Sequence, residues 1–303
     1  MCALTNFPNG ITSYGVPVLG SGGITTTGNF FFVDSVTGSN GNSGLDPDHP
    51  LATIDTAVGK CTASKGDIIL AMPGHNESIT AATSMVVDVA GVSIIGLGVG
   101  NNRPTLDFDN TAGSIEMDAA NTRLSNVVLV ASVSAVVVGI NVDADNVRVD
   151  NIRTTWEATG DDFVTMIDVD AVDYAVIVDN ELFSEPAVTG AAEAIRLDDT
   201  HNTVVTGNKI IGDFSDAPII GEGALGNNCV IANNLLYNSD TSVNNGVEIT
   251  VAFTGILARN LIGTLYATGV ADLLDPGSML CLENYAVNAI DESGVIIPAT
   301  TSA

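Results

Sequence analysis

The amino-acid sequence predicts an all-β fold, a single-stranded parallel β-helix or solenoid with a short N-terminal capping helix. The first observation is an asparagine that recurs in similar settings along the 303 residues. The second is that aliphatic residues keep fixed positions relative to this asparagine, as stacked parallel strands require. The third is a short helix-like segment ahead of the repeats.

The recurring asparagines are separated by 25, 29, 28, 26, 26 and 24 residues, a near-constant period that indicates an array of coils. A bend between two strands of one coil needs a residue that tolerates the left-handed region, and asparagine does so. Its amide can also bond to the asparagine of the next coil, so the sequence predicts a ladder. The members are Asn126, Asn151, Asn180, Asn208, Asn234, Asn260 and Asn284.

The position three residues before the asparagine changes character along the chain. It is arginine at Arg123 and Arg148 and then becomes aliphatic. We expect the arginines to pair with a nearby aspartate, which is Asp143, Asp145 or Asp150. If the neighbouring columns point inward, this stripe faces out and predicts the interface of a closed homotrimer. The alternative is a local bulge that turns the column inward. The aliphatic members are Ile177, Val205, Ile231 and Leu257.

Four segments follow from these patterns. Residues 1–29 form an extended N-terminal arm, residues 30–65 an initial strand, turn and capping helix, residues 66–288 a parallel β-helix of about eight coils, and residues 289–303 a C-terminal tail. The arm is rich in Gly, Thr, Asn and Pro with scattered apolar side chains, which favours ordering on a partner. The apolar residues expected to dock it are Phe7, Tyr14, Val16 and Leu19.

Composition excludes several classes of function. The chain has 36 acidic and 9 basic residues and a formal net charge of −27, which disfavours nucleic acid and anionic membranes as partners. The stretch from Leu124 to Val142 lacks charge, but its serines, asparagines and valines favour buried strands over a membrane helix. The first residues do not form a recognisable secretory signal, so we expect synthesis in the cytoplasm.

The segment FVDSVTGSNGNSGLDPDHPLATIDTAV, followed by GDIILAMPGHNESI, resembles the N-terminal part of the pectin-lyase-like right-handed parallel β-helix superfamily. The resemblance implies a right-handed coil. This fold carries polysaccharide lyases, hydrolases, phage tailspikes and inert virion parts. The matching residues are Pro50, Ala52, Thr53, Ile54, Ala57, Val58, Gly66, Asp67, Pro73, Gly74 and Glu77.

Two functions remain open. The sequence lacks the N-T-D, G-H-G and R-I-K signatures of polygalacturonases and the W-x-D-H of pectate lyases. Together with the arm, this favours a structural protein of a phage virion that decorates the capsid or is otherwise attached to the virion, with virion proteins such as the major capsid protein as partners. The alternative is a tailspike-like polysaccharide depolymerase, either lyase or glycoside hydrolase. Its candidate catalytic residues are Asp161, Asp162, Asp198, Asp199 and His201.

Ligand predictions are sparse. No cofactor is required, although Asp34, Asp46 and Asp48 lie in a turn-rich loop whose oxygen atoms suit Ca²⁺. Trp156, the one tryptophan, is suited to stack on a sugar ring, to contact a partner or to cover the core. The four cysteines show no C-x-x-C pair and predict neither a metal site nor a disulfide framework.

Overall fold

The chain is a parallel β-solenoid of about eight turns, seen in a computed structural model. Each complete turn contributes one strand to each of three sheets, and the equivalent strands of successive turns pair in parallel. This architecture fits the pectin-lyase-like parallel β-helix. The structure describes residues 12–13, 16–17, 26–186, 190–223, 225–242, 245–250, 253–265, 273–288 and 293–295.

Three sheets, numbered here in the order in which a coil visits them, form the walls. Sheet 1 contains Phe30–Val33, Ile68–Ala71, Ser93–Gly96, Arg123–Ser125, Arg148–Asp150, Val176–Val178, Val204–Thr206, Gly226–Ala232, Phe253–Ala258 and Leu280–Leu282. Sheet 2 contains Asn76–Ser78, Thr105–Phe108, Val128–Ala131, Arg153–Trp156, Glu181–Phe183, Lys209–Gly212, Leu235–Asn238, Leu261–Thr264, Tyr285–Asn288 and an antiparallel last strand, Ser293–Val295. Sheet 3 contains Met85–Val86, Ile115–Met117, Val136–Val142, Phe163–Asp170, Ala191–Asp198, Phe214–Glu222, Val247–Ile249 and Leu274–Asp275.

The short helix, Ile54–Val58, packs its apolar side chains into the core beside the first strands of sheet 1. Thr53 caps its N-terminus, and the amide of Ile54 donates to Glu77 Oε2 over 2.9 Å. The fully buried His75 holds the same carboxylate, with Nε2 3.1 Å from Oε2. The remaining short elements are the 3-10 helix Gly100–Asn102 and an antiparallel strand pair, Thr12–Ser13 with Val16–Pro17.

The core is the inside of the coil. Side chains alternate along each strand, and the inward ones stack from turn to turn because equivalent strands are about 4.8 Å apart. Leu124, Val149, Ile177 and Val205 form one such column of sheet 1 and are completely buried. The described residues contain no helix long and apolar enough to cross a membrane.

The asparagine ladder consists of two segments that are one residue out of phase. Asn126 and Asn151 occupy the left-handed bend, with φ of 60° and 54°, and bond to each other over 2.9 Å. From Asn180 onward, the residue before the asparagine takes the bend and the asparagine itself is buried. The prediction that asparagine occupies the bend is therefore wrong for the last five members. The residues in the bend there are Asp179, Gly207, Asn233, Arg259 and Glu283.

This phase shift overturns the predicted outward stripe. Strand pairing aligns Arg148 with Val176 rather than with Ile177. The prediction that Ile177, Val205, Ile231 and Leu257 face out is wrong, because all four side chains are fully buried. No bulge separates Arg148–Asp150 from Val176–Val178, since the asparagine and not the strand moves by one position. The column that continues the arginines on the outer face is Val176, Val204, Val230, Ile256 and Leu280.

The ends of the chain leave several predictions untested. Of the predicted docking residues of the arm, Phe7, Tyr14 and Leu19 lie outside the described residues. Val16 is described only as part of a two-residue strand. Within the predicted tail, Ser293–Val295 pairs with the strand Tyr285–Asn288.

Candidate active site

The outer face of sheet 3 concentrates acidic side chains. Asp170, Asp198 and Glu222 come from three successive turns and pair laterally with one another. In the neighbouring outward column, Asp168 pairs with Arg196. Because parallel register stacks equivalent side chains about 4.8 Å apart, one acid per turn becomes a continuous acidic stripe.

Two adjoining cavities, of about 430 and 310 Å³, run along this face. They meet at Val137 and Val138, which line both cavities. We call them together the acidic groove. Among the lining residues, the carboxylates are Glu116, Asp143, Asp168, Asp170, Glu193, Asp216 and Glu222, and the guanidinium is that of Arg196.

Arg196 links three of these carboxylates. Asp168 receives two hydrogen bonds from the guanidinium, one of them from Nε over 2.9 Å. Glu222 Oε1 lies 3.6 Å from Nε, and Glu193 Oε1 lies 3.9 Å from Nη1. These contacts raise the pKa of Arg196, chiefly through the hydrogen bonds to Asp168, so the groove holds one fixed positive charge within an acidic wall.

Glu193 is, with Asp168, one of two buried acids that line the groove. Its side chain is 6% exposed and accepts a hydrogen bond from Thr165 Oγ1 over 2.5 Å. Burial raises the pKa of Glu193, while Thr165 and Arg196 act in the opposite direction. Ala194 and Ile195 are both buried, so the in–out alternation of the strand breaks between Glu193 and Arg196. Both polar side chains consequently line the groove. A raised pKa suits a carboxyl to act as a general acid.

A second acidic group lies at the N-terminal end of the groove. Glu116, Asp118 and Asp143 bring one ligand atom each to within 4.8 Å of the others. The pKa of Asp143 is raised by burial and then by Glu116 and Asp118, and that of Asp118 by burial, Glu116 and Asp88. This donor set suits a hard cation such as Ca²⁺.

The loop proposed for calcium is arranged differently. Asp34 accepts hydrogen bonds from the Val36 amide and the Thr37 hydroxyl, and Asp46 accepts from the Asp48 amide and faces His49. Hydrogen bonds of this kind lower the pKa of Asp46, and those to Asp34 outweigh its burial. In the described part of the chain, Asp34, Asp46 and Asp48 do not form a group with metal-ligand spacing.

The predicted catalytic residues divide between two places. Asp198 lines neither cavity but pairs laterally with the lining residues Asp170 and Glu222. Burial and then Asp170 and Asp199 raise its pKa. Asp199 takes a left-handed conformation in the following turn and accepts from the Leu225 amide over 2.8 Å. His201 lies beyond that turn, with Nδ1 3.3 Å from Asn227 Nδ2. Of these three residues, the structure therefore brings only Asp198 beside the groove, and none of them lines it.

Asp161 and Asp162 lie in the turn between sheets 2 and 3. Asp161 accepts from the Ala158 amide over 3.1 Å and closes that turn. Asp162 is buried and accepts from the Ser184 hydroxyl over 2.7 Å and from the Glu185 amide over 3.1 Å. Burial raises the pKa of Asp162. Both carboxylates accept hydrogen bonds from backbone amides, and neither side chain lines the acidic groove.

An acidic pair near Asp162 makes stability depend on pH. Burial, followed by Asp240, raises the pKa of Asp213 to about 6. Folding thus favours the protonated form of Asp213. Its contribution to the stability of the folded state is complete below pH 3.8 and is lost as the pH rises through about 6. We expect Asp213→Asn to raise the thermal midpoint at pH 7.5 and to leave it nearly unchanged near pH 4, as measured by circular dichroism.

The exposed Asp109→Asn substitution is the matched control for Asp213→Asn and should show no such pH-dependent gain. A destabilisation by Asp213→Asn that is equal at both pH values would contradict the assignment, because it would mean that the ionised carboxylate makes favourable contacts.

Outside the groove, the structure shows the partner of the two arginines and the position of the tryptophan. Asp150 accepts from Arg123 Nε over 2.7 Å and from Arg148 Nε over 2.9 Å, which confirms that these arginines pair with it. They lower the pKa of Asp150 against the effect of burial. Trp156 ends a strand of sheet 2 and is partly exposed, away from the groove-lining residues.

Sequence reasoning missed Glu193, Arg196 and Glu222. The signal that marks Arg196 and Asp198 is their alternation in the strand AAEAIRLD, where a polar residue every second position indicates an outward face. Glu193 stands three residues before Arg196, so alternation assigns it to the opposite face. Two successive buried residues, Ala194 and Ile195, break the alternation and bring Glu193 to the groove.

Comparison with known proteins adds distant structural likenesses. No family model matches the chain, and no curated protein matches it. A rhamnogalacturonan lyase is 12% identical, with 89% of this chain and 90% of that chain covered and a TM-score of 0.43. A GH136 lacto-N-biosidase from Eubacterium ramulus is 10% identical, with 85% of this chain and 68% of that chain covered and a TM-score of 0.32.

Proposed function

We propose that the protein is a polysaccharide-degrading enzyme that cleaves glycosidic bonds by acid–base chemistry in the acidic groove. The observation that carries the proposal is Glu193, a buried carboxyl with a raised pKa that lines a cavity together with further carboxylates. Clefts with convergent polar groups and perturbed carboxyls are where such chemistry occurs. This favours the depolymerase over a purely structural role.

The roles follow from the environments of the carboxyls. Protonated Glu193 donates its proton to the glycosidic oxygen, and the more exposed Glu222 serves as base or nucleophile. Both carboxylates contact the guanidinium of Arg196, which places them within the roughly 10 Å that catalytic carboxyl pairs span. Asp168 fixes Arg196 through its two hydrogen bonds and is a positioning residue.

The test is a cleavage screen of purified protein against neutral and acidic polysaccharides. New reducing ends report cleavage both by hydrolysis and by elimination. The ultraviolet absorbance of unsaturated uronate reports elimination separately. We expect reducing ends without that absorbance. Cleavage that persists undiminished when Glu193 is replaced would remove the proposed chemistry from the groove.

A virion location is a second proposal, as in a tailspike-like enzyme, and it has support from the surface. The outer column of sheet 1 ends in Ile256 and Leu280, which are 39% and 59% exposed, beside Leu261 and Tyr285 on sheet 2. Apolar side chains clustered on a chain this acidic favour contact with a further protein surface. We include in the proposal a homotrimer, other virion proteins as partners, a right-handed coil and a capping role for Ile54–Val58.

The oligomer is tested by native mass. If this surface joins three rods, the wild-type protein should have the mass of a trimer, and Ile256→Glu combined with Leu280→Glu should give monomers, because each buries a charge in an apolar contact. Val99→Glu, at a residue 82% exposed elsewhere, is the control and should leave the mass unchanged. A monomeric wild-type protein would contradict the homotrimer.

A further inference from the structure

We infer that the acidic groove binds an uncharged oligosaccharide chain laid along the axis of the coil and excludes chains of uronic acids. This inference rests on the proposed function and specifies its class of substrate. It comes from the charge, the length and the apolar ridge of the groove.

The charge of the groove opposes an anionic ligand. Seven lining residues are carboxylic acids and one is an arginine. Asp168 binds that guanidinium through two hydrogen bonds, and Glu193 and Glu222 lie within 3.9 Å of it. A uronate entering the groove therefore meets a cation that is already paired and a wall of like charge, which costs binding energy at every sugar.

Repulsion between these carboxylates is present before any ligand binds. Asp170 pairs laterally with Asp198 and Asp198 with Glu222, so like charges stand about 4.8 Å apart along this face. The pKa of Asp198 is raised by burial and then by Asp170 and Asp199. Added negative charge strengthens the same repulsion, whereas a hydroxyl group that donates a hydrogen bond to a carboxylate relieves it.

The shape of the groove suits a neutral sugar chain. The lining residues come from five adjacent strands of sheet 3, a span of about 19 Å, which accommodates several sugar rings. Val137 is 58% exposed where the two cavities meet, and it offers an apolar contact to the C–H face of a ring. Carboxylates and Asn141 flank it and accept or donate hydrogen bonds to hydroxyls.

The experiment measures binding without turnover. Full-length Glu193→Gln is titrated calorimetrically with neutral gluco-, galacto-, manno- and xylo-oligosaccharides, and with oligogalacturonates and oligoalginates of matched length. We expect a neutral series to bind at least about tenfold more tightly than either uronate series at low ionic strength, and salt to narrow the difference by screening.

A variant with fewer acidic residues in the groove tests whether the negative charge of the groove is what weakens uronate binding. Asp170→Asn combined with Asp216→Asn, both at exposed positions of the groove, should strengthen uronate binding roughly tenfold at low salt. Lys209→Gln, on the outer face of sheet 2, is the control and should not strengthen uronate binding.

The outcomes separate the two proposals. Uronates that bind as tightly as neutral chains, with or without added Ca²⁺, overturn the substrate class and leave the enzyme proposal standing. Binding of a neutral series by Glu193→Gln, with no cleavage of that series by the wild-type protein, overturns the enzyme proposal alone. Failure of both series to bind overturns the inference together with the function on which it rests.

Discussion

Glu193→Gln is expected to lower the rate of glycan cleavage by about 10² to 10⁴, the usual contribution of a general acid. Glutamine keeps the shape of the side chain and can still pair with Thr165, but it has no proton to give to the leaving oxygen. Initial rates on the best substrate of the screen, at the pH optimum, measure the effect. Thermal unfolding of both proteins shows whether the fold is retained.

The pH profile of the wild-type enzyme gives an independent readout. Because burial raises the pKa of Glu193, the catalytic proton is present at low pH and is lost as the pH rises through that raised value. Activity should therefore fall on the alkaline side, and Glu193→Gln should lack this limb. Glu181→Gln, the same substitution on the outer face of sheet 2, should change neither rate nor profile. A folded Glu193→Gln protein with wild-type rates would refute the assignment.

Asn234→Ala is expected to reduce the free energy of unfolding by about 3 to 5 kcal/mol, because it orphans buried donors. Asn234 Oδ1 accepts from the Asn208 amide over 2.9 Å and from Asn208 Nδ2 over 3.1 Å. Its own Nδ2 donates to the Val205 carbonyl over 3.1 Å and to Asn260 Oδ1 over 3.0 Å. Alanine removes all four bonds at the middle of the buried ladder. Urea denaturation followed by circular dichroism measures the change.

The adjacent residue provides the control. Asn233 is exposed and takes the left-handed bend with φ of 56°, a conformation that glycine adopts freely. Asn233→Gly should therefore change the free energy of unfolding by less than about 1 kcal/mol. If Asn233→Gly destabilised the protein as much as Asn234→Ala, the bend rather than the buried amide would hold the coils together.

The two segments of the ladder show how far repeat analysis reaches. The spacing of the asparagines predicted the parallel solenoid of about eight turns, because a turn of nearly constant length must stack its inward side chains. It did not reveal that Asn180 corresponds to Ile152 rather than to Asn151. Asparagine suits both an exposed bend and a buried ladder. The residue type alone therefore does not show which of these two adjacent positions a given asparagine occupies. The stripe that begins at Ile177 was assigned to the wrong face for this reason.

The candidate site was harder to find from sequence than the fold. Asp198 stood out as one of an adjacent acidic pair, but its partner Asp199 and His201 are directed into turn contacts. Glu193 and Glu222 had no distinguishing neighbours. They become a site because the turns stack, which brings residues 29 positions apart to one guanidinium.

The sequence by itself determined the architecture and the charge of this protein, because the period of the repeats and the excess of acids are properties of the chain that no packing detail alters. Only the tertiary structure decided which face is buried and where the acids converge. The reason is geometric: the asparagine moves by one position along the coil between Asn151 and Asn180, and the alternation of the strand Ala191–Asp198 breaks where two successive residues are buried. A shift of one residue moves a side chain to the opposite face of a strand.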